Sequence, residues 1–89
     1  MTRKDRIAAA LTGALRPTRL EIVDESDRHA GHAGARPGGE THYRLHIVSP
    51  AFVGKSRVER HRMVNAPLAA EFANGLHALA ITAAAPEEA

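Results

Sequence analysis

The stretch Thr41-His-Tyr-Arg-Leu-His-Ile-Val-Ser49 decides the fold of this 89-residue chain. Apolar and polar side chains alternate along it. The apolar set is Tyr43, Leu45 and Ile47, and the polar set is His42, Arg44 and His46. A period of two residues with one apolar side is typical of an antiparallel strand that is buried on one face. The stretch therefore predicts a half-buried strand over 41–49.

The residues before this strand predict a helix. Ile7, Leu11 and Leu15 recur every four residues, which places them on one face of a helix over about 4–15. Pro17 ends this helix, because proline disfavours the helical conformation in the residue before it.

A first strand is predicted at Leu20–Asp24. Together with 41–49 it is expected to form an antiparallel hairpin, in which the first strand extends over 19–25. The connecting residues 30–40 contain four glycines and a proline, and such a composition predicts a loop.

Two helices and a strand are expected after Ser49-Pro50, which ends the hairpin, and Phe52 is expected to anchor that turn in the core. Ser56 can cap a short basic helix that continues to about Val64. Pro67 is suited to the first turn of a further helix over Leu68–Asn74.

The helix over Leu68–Asn74 is expected to bury Leu68 and Phe72. Gly75 is suited to the left-handed residue that ends it. The short apolar run at 77–83 predicts a third strand, and residues 86–89 are expected to form a frayed tail. The whole pattern is α-β-β-α-α-β in one domain over 1–85, with a three-stranded sheet and the helices on one face.

Composition restricts the class of protein. With no cysteine, the chain can form no disulfide and can supply no thiolate to a metal. The first residues run into an amphipathic segment without a long apolar core, so no signal peptide is expected. No apolar run approaches the roughly 20 residues that span a bilayer. We therefore expect a cytoplasmic protein that does not enter the membrane.

The motifs of common enzymes are missing. Gly54-Lys55-Ser56 matches the end of a phosphate-binding loop, but that loop needs a glycine five residues earlier, where the chain has Ser49. Adjacent Asp24 and Glu25 would point to opposite faces of a strand and cannot act together as acid and base. We expect a binding protein and no enzyme.

Charge is unevenly distributed in a chain of net charge +2. Acidic residues concentrate in 21–27. The candidate nucleic-acid or partner-binding set is basic and consists of Lys55, Arg57, Arg60, His61 and Arg62. Such a patch attracts phosphate or an acidic protein surface, although a run of charge is also the ordinary solvated face of a helix.

Six histidines in 89 residues are a high density. His29 and His32 lie at the start of the glycine-rich loop, and His77 begins the third predicted strand. His42 and His46 share a strand face but are four residues apart, roughly 13 Å, which is too far for one metal ion.

Several segments together resemble the BolA family. They are Val23-Asp-Glu-Ser26, Glu40-Thr-His-Tyr43, Ile47-Val-Ser49, Phe52-Val-Gly54, Arg60-His-Arg-Met-Val64 and Gly75-Leu-His-Ala-Leu-Ala80. The resemblance covers about residues 5–83 and implies the KH-like α/β fold of class II, in the same element order.

The resemblance implies partnership with a monothiol glutaredoxin and a shared 2Fe–2S cluster, in iron–sulfur trafficking or iron regulation. The free chain is then expected to be a monomer without a cluster, and the complex a heterodimer that includes glutathione. The family's histidine ligands match His77 and a loop histidine, either His29 or His32, with His29 the better match.

The resemblance also implies an alternative, transcriptional regulation through DNA binding. The basic set and the helix-turn-helix-like region 56–75 would then contact double-stranded DNA. The Gly-x-x-Gly loop of KH domains is absent, since residues 64–67 read Val-Asn-Ala-Pro. Single-stranded RNA is therefore not expected as the ligand.

Overall fold

The computed structural model describes residues 2–25 and 42–89. Its main elements are α1 (Arg3–Leu15), β1 (Arg19–Asp24), β2 (His42–Val48), α2 (Arg57–Asn65), α3 (Ala69–Ala73) and β3 (Ala78–Ala84). This order is the predicted α-β-β-α-α-β, and the α+β fold class is confirmed. In the described part of the chain, no helix has both the length and the apolarity needed to cross a bilayer.

The sheet has three strands with β2 in the centre. β1 runs antiparallel to β2, with Ile22 opposite Leu45, so the predicted hairpin pairing is confirmed. β3 runs parallel to β2 on its other side, with Leu45 opposite Ile81. The parallel pairing places the first residues of β2 and β3 at the same end of the sheet.

The apolar side of β2 lies in the core, as its alternation predicts. Tyr43, Leu45 and Ile47 are at most 3% exposed. The helices cover this side through a set of buried residues: Ile7, Leu11 and Leu15 from α1, Val64 from α2, and Leu68 from the turn before α3. The opposite side of the sheet carries the polar residues of the alternation and remains accessible.

Ser49 joins the end of α1 to the end of β2. It is fully buried, and its Oγ donates a hydrogen bond to the carbonyl oxygen of Leu15 at 2.5 Å and accepts one from the Ala51 N–H at 3.1 Å. The Leu15 carbonyl has no partner inside its own helix, because it belongs to the last turn. Phe52 follows in a short 3-10 turn and is fully buried, as predicted.

The predicted signals at the helix ends are confirmed at two positions. Ser56 caps α2 in a capping box: its Oγ accepts from the Glu59 N–H at 3.1 Å, while the Glu59 carboxylate accepts from the Ser56 N–H at 2.9 Å. Gly75 follows α3 with a φ of +109°, a conformation that favours glycine.

The prediction that Phe72 is buried was wrong, because Phe72 is 38% exposed. The inward position belongs to Glu71, three residues after the buried Leu68. The chain forms a 3-10 turn at Ala66–Leu68 before α3 begins, and α3 is shorter than the predicted 68–74. Residues three apart are neighbours on a helix surface, so Glu71 lies on the same side as Leu68, where its carboxylate contacts α1.

Glu71 connects α3 to α1 through two arginines. Its carboxylate accepts from Arg3 Nε at 3.1 Å and from Arg6 Nε at 3.0 Å. The hydrogen bonds from Arg6, followed by those from Arg3, lower the pKa of the Glu71 carboxyl from 4.5 despite the opposing effect of burial. A charged residue therefore occupies a position that hydrophobic patterning assigns to the core.

We expect Glu71→Gln to reduce the free energy of unfolding at neutral pH by about 1–2 kcal/mol, because it removes charge-assisted hydrogen bonds that are only partly shielded from solvent. A lowered pKa stabilises the folded state above the unfolded value of 4.5, and this stabilisation is lost as the pH falls through the folded value.

The difference between wild type and variant should therefore shrink at about pH 3.5 when urea unfolding is followed by circular dichroism. Glu87→Gln makes the same chemical change at an exposed position and serves as the control. Equal stability of Glu71→Gln and wild type at neutral pH would contradict this role of the carboxylate.

Candidate functional site

His77 lies just before β3, on the surface at one end of the sheet. Its neighbour Leu76 is buried, at 4% exposure, and the Leu76 N–H donates to the Glu71 carbonyl at 2.9 Å. With Gly75 turning the chain immediately before it, Leu76 anchors the backbone in the core. The His77 imidazole is thus presented to solvent from a firmly held backbone.

His42 begins β2 and lies beside His77. The parallel register places His42 opposite Ala78, the residue that follows His77. The two ring centroids are 5.2 Å apart, with the ring planes inclined at 45°. On the other side of His42, the buried Tyr43 fixes the strand in the core. The structure thus places two imidazoles next to each other at one end of the sheet.

The sequence reasoning missed this pair. It compared His42 with His46, which share a strand and point along the same face. In the structure His46 is directed toward Glu21, with Nδ1 3.5 Å from the carboxylate. The His42–His77 contact depends on the parallel register of β2 and β3. The sequence could have indicated this contact, because both histidines stand where a strand begins.

His29 and His32 lie outside the described residues. The described chain stops at Glu25 and resumes at His42, and these two ends are joined: the Glu25 N–H donates to the His42 carbonyl at 2.8 Å, and Arg44 Nε donates to the Glu25 carboxylate at 3.2 Å. Glu25 and His42, the described residues that flank segment 26–41, therefore lie at the same end of the sheet as His77.

Within residues 2–25 and 42–89, no three histidine, aspartate or glutamate side chains converge in a way that could hold a metal ion. The described residues contribute two imidazoles at the end of the sheet.

The predicted basic set divides into two groups. Four of its members line a groove of about 460 Å³ between α2 and the end of β3; they are Lys55, Arg57, Arg60 and His61. Arg62 is exposed and is not part of the groove lining. Four of the five residues therefore share one groove, and the role of the set in DNA binding stays a prediction.

Arg60 is held by several contacts within the protein. Its Nη1 lies 2.6 Å from Glu88 Oε1, and its Nη2 lies 3.2 Å from Glu88 Oε2. Its Nε donates to the Lys55 carbonyl at 2.9 Å, and its Nη1 to the Ala83 carbonyl at 3.3 Å. Arg60 lowers the pKa of the Glu88 carboxyl.

The tail 86–89, for which fraying stays a prediction, contacts α2 in the structure. Pro86–Glu88 form a 3-10 turn, and the Glu88 carboxylate also accepts from the Ala85 N–H at 2.7 Å. The Arg60–Glu88 pair connects this turn to α2.

A three-stranded mixed sheet with helices on its apolar side and a histidine pair at one end defines a small α+β domain with a surface site. The model of the family described as "BolA-like protein" matches residues 11–88. The chain therefore belongs to the BolA-like family.

Curated and solved relatives agree with this assignment. The UV-induced protein uvi31 of Schizosaccharomyces pombe is 46% identical over 99% of this chain and 90% of its own length. SufE-like protein 1 of Arabidopsis thaliana is 49% identical over 93% of this chain, which matches 24% of that longer protein. The solved BolA domain of SufE1 from Arabidopsis thaliana superposes with a TM-score of 0.89 at 47% identity, covering 100% of this chain and 98% of that one.

We expect His77→Ala to change the ring proton and nitrogen resonances of His42, because an imidazole 5.2 Å away is replaced by a methyl group. Two-dimensional NMR of histidine side chains measures this directly. His46→Ala, on the same strand face as His42, should leave the His77 resonances in place. Unchanged His42 signals in His77→Ala would contradict the proximity of the two rings.

Proposed function

We propose that this chain binds a monothiol glutaredoxin and shares a 2Fe–2S cluster with it, in iron–sulfur cluster trafficking or iron regulation. The observation that carries the proposal is the adjacent pair of imidazoles, His42 and His77, on the surface of a domain of the BolA-like family. A protein with this role works by binding, and no catalytic step is assigned to its residues.

The donor chemistry of the chain fits one half of such a cluster. With no cysteine, the chain can offer imidazole nitrogen but no thiolate. The glutaredoxin cysteine and glutathione would supply the thiolates that complete the four terminal positions of the cluster. Ligation by two histidines and two thiolates raises the reduction potential of a 2Fe–2S cluster above that of a four-thiolate cluster.

His77 is the first proposed ligand, since it is exposed on an anchored backbone. The second imidazole comes from segment 26–41 or from His42. His29 stands four residues after Glu25, so backbone geometry limits the distance between their Cα atoms to about 14 Å. Because Glu25 is bonded to the His42 backbone, this limit supports His29, ahead of His32, as the loop ligand. His42 is the alternative that the register of the sheet supports.

The test is to mix or co-express the chain with a monothiol glutaredoxin and glutathione and to record the visible absorption of the complex. We expect a 2Fe–2S spectrum that differs from that of the glutaredoxin alone and that His77→Ala abolishes or shifts. Single variants His29→Ala, His32→Ala and His42→Ala identify the second imidazole by the same readout. His61→Ala, in the basic helix α2, is the control and should behave like the wild-type chain.

A mixture whose spectrum is the same with and without this chain would overturn the proposal. A spectrum that changes on mixing but is insensitive to His77→Ala would overturn the ligand assignment while leaving the partnership intact. Size-exclusion chromatography of the same samples checks the expected monomer and the expected heterodimer.

A further inference from the structure

We propose that the outer edge of β3 and the groove beside it bind an extended acidic segment of another protein, which adds to the sheet as a further strand. This surface lies toward the C-terminal end of β3, whereas His77 precedes its N-terminal end. The β3 residues of the groove, 81–83, follow His77 by four to six positions, which is roughly 13–20 Å along the strand. The inference therefore does not depend on the cluster site.

β3 is an edge strand within the described part of the chain. In a parallel ladder the N–H and C=O of one residue point to the same side, and successive residues alternate. The Ala84 carbonyl accepts from the Ser49 N–H at 3.0 Å, so Ala84 points toward β2. Leu79 and Ile81 accordingly direct their backbone groups outward, where a further strand could pair with them, whereas the Ala83 carbonyl already accepts from Arg60 Nη1 at 3.3 Å.

Nothing in the composition of β3 blocks such pairing. Edge strands are commonly protected by charged side chains, proline or a bulge. β3 reads Ala-Leu-Ala-Ile-Thr-Ala-Ala and contains neither charge nor proline, and its pairing with β2 is continuous over all seven residues. The edge thus keeps the features of a strand that accepts a partner strand.

The groove beside this edge selects for negative charge. Ile81, Thr82 and Ala83 form one wall, and Lys55, Arg57 and His61 contribute to the other. Lys55 and Arg57 are exposed, and the groove also contains Arg60. A strand lying along Ile81 would place some of its side chains against these cations, where acidic residues gain a favourable interaction.

The protein already places one carboxylate in this groove. Glu88 binds Arg60 through both carboxylate oxygens, at 2.6 and 3.2 Å. This contact shows that a carboxylate fits between α2 and β3. Because Glu88 occupies Arg60, Lys55 and Arg57 are the cations that an incoming acidic segment would contact.

The strand edge favours a peptide over a nucleic acid as the ligand. Leu79 and Ile81 each offer one N–H donor and one C=O acceptor at this edge, a pattern that an extended peptide backbone complements in full. A phosphate backbone accepts hydrogen bonds but donates none of this kind. An acidic peptide uses the strand edge and the cations together.

The experiment uses a fluorescein-labelled peptide of about nine residues that alternates glutamate with valine or threonine, titrated with the full chain at low salt and followed by fluorescence anisotropy. Arg57→Glu should weaken binding about tenfold, because it reverses a charge that lines the groove. Arg62→Glu makes the same charge change on the same helix outside the groove, and it should change affinity less than about twofold.

Two further measurements separate strand addition from simple charge attraction. A peptide of the same sequence with alternate amide nitrogens methylated keeps its charge but loses its donors, and it should bind about tenfold more weakly. Glu88→Gln should strengthen binding of the unmodified peptide, because Arg60 becomes available to it. On addition of the unmodified peptide, the amide resonances of Leu79 and Ile81 should shift.

Equal binding of the methylated and unmodified peptides would overturn strand addition, as would equal effects of Arg57→Glu and Arg62→Glu. Binding of a short duplex DNA that depends on Arg57, with no binding of the peptide, would assign the surface to nucleic acid and overturn the inference. The visible absorption spectrum of Arg57→Glu mixed with the glutaredoxin is recorded as well. It reports on the cluster site separately from peptide binding.

Discussion

The buried side of β2 is the constraint on which the rest of the structure depends. Its alternation requires that Tyr43, Leu45 and Ile47 be covered. The structure covers them with β2 in the centre of the sheet and the helices packed on that side. A shift of one residue in the pairing of β2 with its neighbours would move these apolar side chains into solvent. The register of the sheet is therefore strongly specified.

That register also determines what lies at the two ends of the sheet. At one end it brings His42 beside His77 and keeps Glu25, the last described residue before segment 26–41, attached to β2. At the other end it brings the last residues of β3 under the basic helix α2. One small sheet thus carries a pair of adjacent imidazoles near one end and a groove lined by basic residues near the other.

Local signals in the sequence predicted most of the fold, because Ser56, Gly75 and the alternation of β2 act through neighbouring residues. The failures involve contacts between distant residues. Phe72 was expected in the core, yet Glu71 took that position through Arg3 and Arg6, which are more than 60 residues away in sequence. The His42–His77 contact and the Arg60–Glu88 ion pair likewise depend on strand register and on the path of the chain end.

The most direct test of the central claim asks whether imidazole nitrogens of this chain bind iron. The chain is labelled with nitrogen-15 histidine, combined with unlabelled glutaredoxin and glutathione, and the reduced cluster is studied by pulsed electron paramagnetic resonance. Our account predicts nitrogen-15 hyperfine coupling typical of directly bound imidazole, and loss of one coupling in His77→Ala. A reduced cluster without any nitrogen-15 coupling of that size would contradict it.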